Sequence, residues 1–78
     1  MEVEQIDVVS YSGSKGDERP LTFVHQEFCI DVLEILDQWV EERLGDKVRK
    51  RYFRVKGSDG NTHRLYFDEN ILKWYYAL

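Results

Sequence analysis

The sequence predicts an all-β protein: a small curved antiparallel sheet or open barrel of about five strands, ending in a three-strand meander. Three observations carry this. Residues 48–78 alternate apolar and polar side chains in three runs separated by turn signals. Residues 3–11 are dense in β-branched and aromatic types, which suit a pleated, half-buried surface. Aromatics make up 14% of the 78 residues, and large rings are how so short a chain assembles enough core.

Taken in order, residues 3–11 read as a strand whose inner face the alternation does not settle. Residues 12–19 are polar and read as a loop. Pro20 then opens a short strand over 21–25, as proline does best at a strand start. Residues 27–44 fit two structures. Phe28, Val32, Leu36, Trp39 and Val40 have helical spacing, with Gly45 as a C-cap, which would give an α+β fold with a helix near 33–44. Phe28, Ile30 and Val32 also alternate, as do Leu33 and Ile35, with Trp39 following past Asp37. Two alternating sets one residue out of phase are what a β-bulge near Val32 and Leu33 would produce. Residues 48–56 and 61–68 form a hairpin about a turn at 57–60, where Asp59-Gly60 supplies the positive φ of a tight turn. Residues 68–70 turn again, and 71–78 close the meander.

Alternation assigns the faces of the meander. Phe53, Val55, His63, Leu65, Phe67, Leu72, Trp74, Tyr76 and Leu78 share the phase expected to face the core. Trp39 and Trp74 are both in apolar phase and expected to be buried. The other phase carries Tyr52, Tyr66 and Tyr75 among Lys50, Arg54, Lys56, Arg64 and Lys73. These eight residues are the candidate binding face. Rings that stack on bases, set among cations that neutralise phosphates, are the chemistry of sheet-based single-strand binders. The same Tyr–Arg and Tyr–Lys neighbours are also ordinary cross-strand pairs worth ~0.2–1 kcal/mol each.

Charge is unevenly distributed. The net charge is -4, yet residues 1–46 hold twelve acids against three bases, and residues 47–78 hold eight bases against three acids. Either the basic half meets an anionic partner, or the two halves attract one another within the fold. Overall acidity argues against a dedicated nucleic-acid binder.

Several classes are disfavoured. The length sets one domain over 1–78, and no apolar run approaches the ~20 residues of a spanning helix. The single cysteine, Cys29, excludes an internal disulfide and is expected in the core, where free cysteine usually sits. The acidic start lacks the basic and apolar segments of a signal peptide, so a cytoplasmic protein is expected. Residues 12–16 superficially suggest a phosphate loop, but the lysine precedes the glycine and no helix can follow. His25, Cys29 and His63 lack the paired spacing of a zinc site, and Asp31, Glu34 and Asp37 read as a solvated face. No catalytic residue, cofactor, metal or membrane partner is expected.

A resemblance enters at Val32, Ile35, Leu36, Asp37 and Trp39, followed by Tyr52-Phe53, Val55, Asp59-Gly60, Leu65-Tyr66, Asp68 and Trp74-Tyr75. Over about residues 20–76 this pattern resembles a family of small, uncharacterised bacterial cytosolic all-β domains of unknown function. Some relatives are appended to proteins similar to lesion-bypass polymerases, which implies a DNA-associated role. The sequence departs from that pattern at His25-Gln26-Glu27, where relatives have a glycine at the hairpin. The resemblance implies that residues 30–39 form a long bent strand after a hairpin, and the double alternation predicts that most of 30–36 is extended and pairs with 21–24. The resemblance places Val32, Ile35, Leu36 and Trp39 in the core. The leading functional reading is a non-enzymatic interaction module that binds a protein partner through its acidic half or a sheet edge. The alternative is a weak single-stranded nucleic-acid binder, associated with DNA repair, acting through the tyrosine–cation face.

Overall fold

A computed structural model describes residues 3–12, 18–45 and 48–77. Seven antiparallel strands form one curled, half-barrel sheet, and no helix is present among the described residues. The strands are β1 (Val3–Ile6), β2 (Val8–Ser12), β3 (Glu18–His25), β4 (Phe28–Glu42), β5 (Arg49–Gly57), β6 (Thr62–Asp68) and β7 (Lys73–Ala77). Their order across the sheet is β1-β7-β6-β5-β4-β3-β2. The expected helix near 33–44 is absent, and that stretch is extended throughout.

The meander forms as its alternation requires. Phe53 pairs with Leu65, and Phe67 with Trp74. The β5–β6 turn is closed by Gly60 N–H donating to Gly57 C=O at 3.0 Å, with Gly60 at φ 84°. Asp59 caps it by accepting from Asn61 N–H at 3.1 Å. Residues 71–72 belong to the turn before β7. Leu72 takes φ 56° there and is exposed, which corrects its expected core position. Leu78 lies outside the described residues.

The sheet has seven strands rather than about five: six extended runs are legible in the sequence, and the N-terminal one is split in two. Residues 3–6 pair with β7, and residues 8–12 pair with β3, with Asp7 between them. One nearly continuous segment thus touches both ends of the sheet order, and Val24 N–H donates to Asp7 C=O at 3.0 Å. Pro20 does not open β3 but lies inside it, where the register with β2 shifts between Val9 and Ser10. A bulge there tolerates the missing N–H. Of the expected loop, residues 13–17 lie outside the described residues, and Glu18 and Arg19 are strand.

Strand β4 explains the double alternation. Residues 28–31 pair with β3, Phe23 opposite Ile30, which corrects the expected pairing of 30–36 with 21–24: that pairing ends at Asp31, and from Val32 on β4 pairs with β5. The register with β5 then shifts between Val32 and Glu34, where the bulge was expected, and again between Ile35 and Asp37. Each shift inserts one unpaired residue, first Leu33 and then Leu36, and each exchanges the two faces. Val32 and Ile35 therefore stay inward and pack against the core. The second shift, which the alternation does not reveal, sends Asp37, Trp39 and Glu41 outward. This corrects the core assignments of Leu36 and Trp39, and Trp39 is 38% exposed.

The core consists of Ile6, Phe23, Ile30, Phe53, Val55, Leu65, Phe67 and Trp74. Cys29 is exposed, not buried as expected, because it is the out-of-phase neighbour of inward-facing Ile30.

Candidate functional site: an outer face and an open edge

The eight candidate residues occupy the same phase of β5, β6 and β7, and cross-strand register brings the three tyrosines into line. Tyr52 pairs with Tyr66, and Tyr66 with Tyr75. The second bulge of β4 adds Trp39 to the row, opposite Tyr52. Ring centroids are 5.3 Å apart for Trp39–Tyr52, 5.1 Å for Tyr52–Tyr66 and 5.0 Å for Tyr66–Tyr75. Trp39 and Tyr52 are nearly parallel, at 5°. Tyr66 is 6% exposed on this nominally outer face, because rings flank it on both sides and Lys50 Nζ lies 5.2 Å from its centroid. Burial raises the phenol pKa values of Tyr52 and Tyr66. Glu41 adds to the first and Tyr52 to the second. Both are neutral at physiological pH.

Stacking occupies ring faces of Tyr52 and Tyr66. At the β4 end of the row, no further ring among the described residues covers Trp39.

Of the five cations on this face, Arg54 is ion-paired from within, and the other four form no ion pair among the described residues. β4 carries five acids and no base, and β5 five bases and no acid. Their register sets Glu34 opposite Lys56, Asp37 opposite Arg54, Glu41 opposite Lys50 and Glu42 opposite Arg49. Arg54 donates from Nε and Nη2 to Asp37 Oδ2 at 3.0 and 2.6 Å. Arg49 lies 3.4 Å from Glu42 and 2.9 Å from Glu69. The charge asymmetry of the two chain halves is therefore in part the opposition of two adjacent strands, with two ion pairs between them among the described residues. Arg64 stands directly opposite Arg54, exposed, with no ion pair among the described residues. Lys56 and Lys73 are exposed at the margins of the face.

The other edge of β4 was not legible in the sequence. Pairing with β3 ends at Asp31, while β4 runs on to Glu42. Among the described residues, no strand pairs with the outer edge of 33–42. At ~3.3 Å per residue, the open backbone runs for roughly 30 Å. Leu33 is 64% exposed along it, Trp39 and Val40 are partly exposed, and Leu44 just beyond is 98% exposed. Long edges that offer unpaired N–H and C=O groups are templates for another strand.

A third cluster sits at the β5–β6 turn, beside an open groove of about 700 Å³. His63 is buried, and both ring nitrogens are occupied. Nε2 lies 3.0 Å from Asp59 Oδ2, and Nδ1 lies 2.8 Å from the Tyr76 hydroxyl. An ionised Asp59 only accepts, so Nε2 donates to it. His25 stacks on Tyr76 at 3.8 Å. With both nitrogens committed, His63 has no lone pair to offer a substrate or metal, and the cluster acts as a latch. Among the described residues, no group of three or more His, Cys, Asp or Glu side chains is placed to hold a metal ion. The bond from His63, then that from the Asn61 amide, holds the Asp59 carboxyl at about 2, below its ordinary 3.8. A depressed carboxylate stabilises the fold fully above its unfolded value and loses that contribution as pH falls through the folded one. The melting temperature of the parent is therefore expected to fall more steeply between pH 4 and pH 2 than that of Asp59→Asn. Parallel melting curves of the two proteins across that range would contradict the latch.

No family model, curated protein or solved structure matches this chain. Among the described residues, no helix is long and apolar enough to cross a membrane.

Proposed function

We propose that this protein is a non-enzymatic interaction module that accepts an extended segment of a protein partner along the open edge of β4. The observation that carries this reading is the outer edge of 33–42, which no strand among the described residues pairs, flanked by exposed apolar side chains. Strand addition of this kind draws affinity from main-chain hydrogen bonds and specificity from alternate side chains. The exposed thiol of Cys29 supports a reducing, cytoplasmic setting, where such a thiol persists.

A second reading, single-stranded nucleic acid on the tyrosine–cation face, is favoured by the adjacent guanidiniums of Arg54 and Arg64. Against it stand the stacked rings and the pairing of Arg54 with Asp37. Peptides selected from a random display library and short single-stranded oligonucleotides, each titrated into labelled protein, separate the two. The expected result is that selected peptides move the backbone amides of 33–42 and oligonucleotides move none. Salt-sensitive shifts at Arg54, Arg64 and Tyr75 with oligonucleotide, and none along β4 with peptide, would overturn the proposal in favour of nucleic acid.

A further inference from the structure

We infer that the segment taken up by β4 carries an aromatic side chain with a cation two residues to either side, in the order Lys/Arg-x-aromatic-x-Lys/Arg. This rests on the strand-docking reading above. It follows from the regular part of β4 beyond its second bulge, where Asp37, Trp39 and Glu41 share the outer face. A strand's side chains lie between both of its neighbours, so the strand already on one side shows what the other side accepts. That strand is β5, which sets Arg54, Tyr52 and Lys50 opposite Asp37, Trp39 and Glu41.

The unoccupied side offers the same chemistry. Both Arg54 hydrogen bonds end on Asp37 Oδ2, leaving Oδ1 for a second cation. Glu41 stands opposite Lys50 yet forms no ion pair among the described residues. Glu34, further along the same edge, forms none either, and Asp31 bonds to the Thr22 hydroxyl rather than to a cation. The ring face of Trp39 turned away from Tyr52 is the one at which the four-ring row stops. An incoming aromatic residue would extend the row by one ring, and the flanking cations would meet Asp37 and Glu41.

The same acids disfavour a second copy of this chain. Two β4 edges paired antiparallel about Trp39 would set Asp37 against Glu41 twice, and like charges directly opposite are destabilising. The edge thus resists pairing with itself and stays open to a basic strand, as charged edge residues do in natural sheets.

The test uses the full chain and three synthetic nine-residue peptides. The first is a strand-former with Arg-x-Tyr-x-Lys at its centre. The second has both cations replaced by Glu, and the third has the composition of the first in scrambled order. Trp39 fluorescence and the amide shifts of 33–42 report binding. The first peptide is expected to bind at 33–42 at least ten-fold more tightly than the other two. Its affinity is expected to fall at least ten-fold for Glu41→Lys, with the melting temperature of that variant confirming its fold. Equal binding of all three peptides at 33–42, or undiminished binding to Glu41→Lys, would overturn the sequence preference and leave the strand-docking reading standing. No binding of any peptide at 33–42 would overturn both. Self-association of the parent protein through 33–42 without peptide would assign the edge to a second copy and overturn the inference.

Discussion

Trp74→Ala is expected to cost ~3–5 kcal/mol, a large share of the stability of so small a domain, whereas Trp39→Ala is expected to cost about 1 kcal/mol. Trp74 is 7% exposed, opposite Phe67 and Ile6 on its two neighbouring strands. Its ring lies 5.1 Å from that of Phe67 and 5.6 Å from that of Phe53. Truncating a buried tryptophan costs ~3–5 kcal/mol, because the lost transfer free energy is compounded by a cavity that the surroundings fill only in part. Small domains have total stabilities of only about 5–15 kcal/mol. Trp39 loses chiefly one stacked partner, Tyr52, and such a pair is worth ~0.5–1.5 kcal/mol beyond its area. Urea denaturation of both variants decides the matter. Equal losses would mean that the second bulge of β4 does not turn Trp39 outward.

Phe23→Ala is expected to be comparably severe, at ~3–5 kcal/mol. Phe23 is fully buried, pairs with Val8 and Ile30, and meets His63 edge-on at 5.1 Å. Its removal would open a void between β3 and the latch, so the loss should appear at two places. The denaturant midpoint should drop, and the amides of β2 and β3 should exchange at the rate of global unfolding. Phe23→Leu, which keeps most of the volume, should recover most of the stability. If the alanine variant melts like the parent, the void has closed by collapse of β3 onto the core.

Much of this architecture was legible because strands declare themselves by period. The meander, its turn and the inward phase of Phe53, Val55, Leu65, Phe67 and Trp74 follow from alternation and one Asp-Gly step. The first bulge was legible because it leaves two alternating sets out of phase. The second was not, since Ile35, Leu36 and Asp37 run on without a visible break. That single residue of slip decides whether Trp39 is core or surface. The latch was hidden for a different reason. Asp59 and Tyr76 reach His63 from a turn and from another strand, and no spacing rule links the three. The tyrosine row was read correctly as a face, but the burial of Tyr66 and the opposition of β4 acids to β5 bases depend on cross-strand register. The open edge depends on something subtler still, the point at which β3 parts from β4.

The split N-terminal strand has a consequence for how the molecule folds. Every other strand pairs with its neighbour in sequence and forms by closing a short loop. β1 alone pairs across nearly the whole chain, Val3 opposite Ala77. Contacts of such long sequence separation are entropically costly and come late, and they slow folding relative to local hairpins. During synthesis β2 and β3 meet early, whereas residues 3–6 wait until β7 has left the ribosome. Ile6, which belongs to the core, is therefore among the last of its residues to be covered. A nascent chain halted before β7 would hold its hairpins while leaving this corner of the core in water.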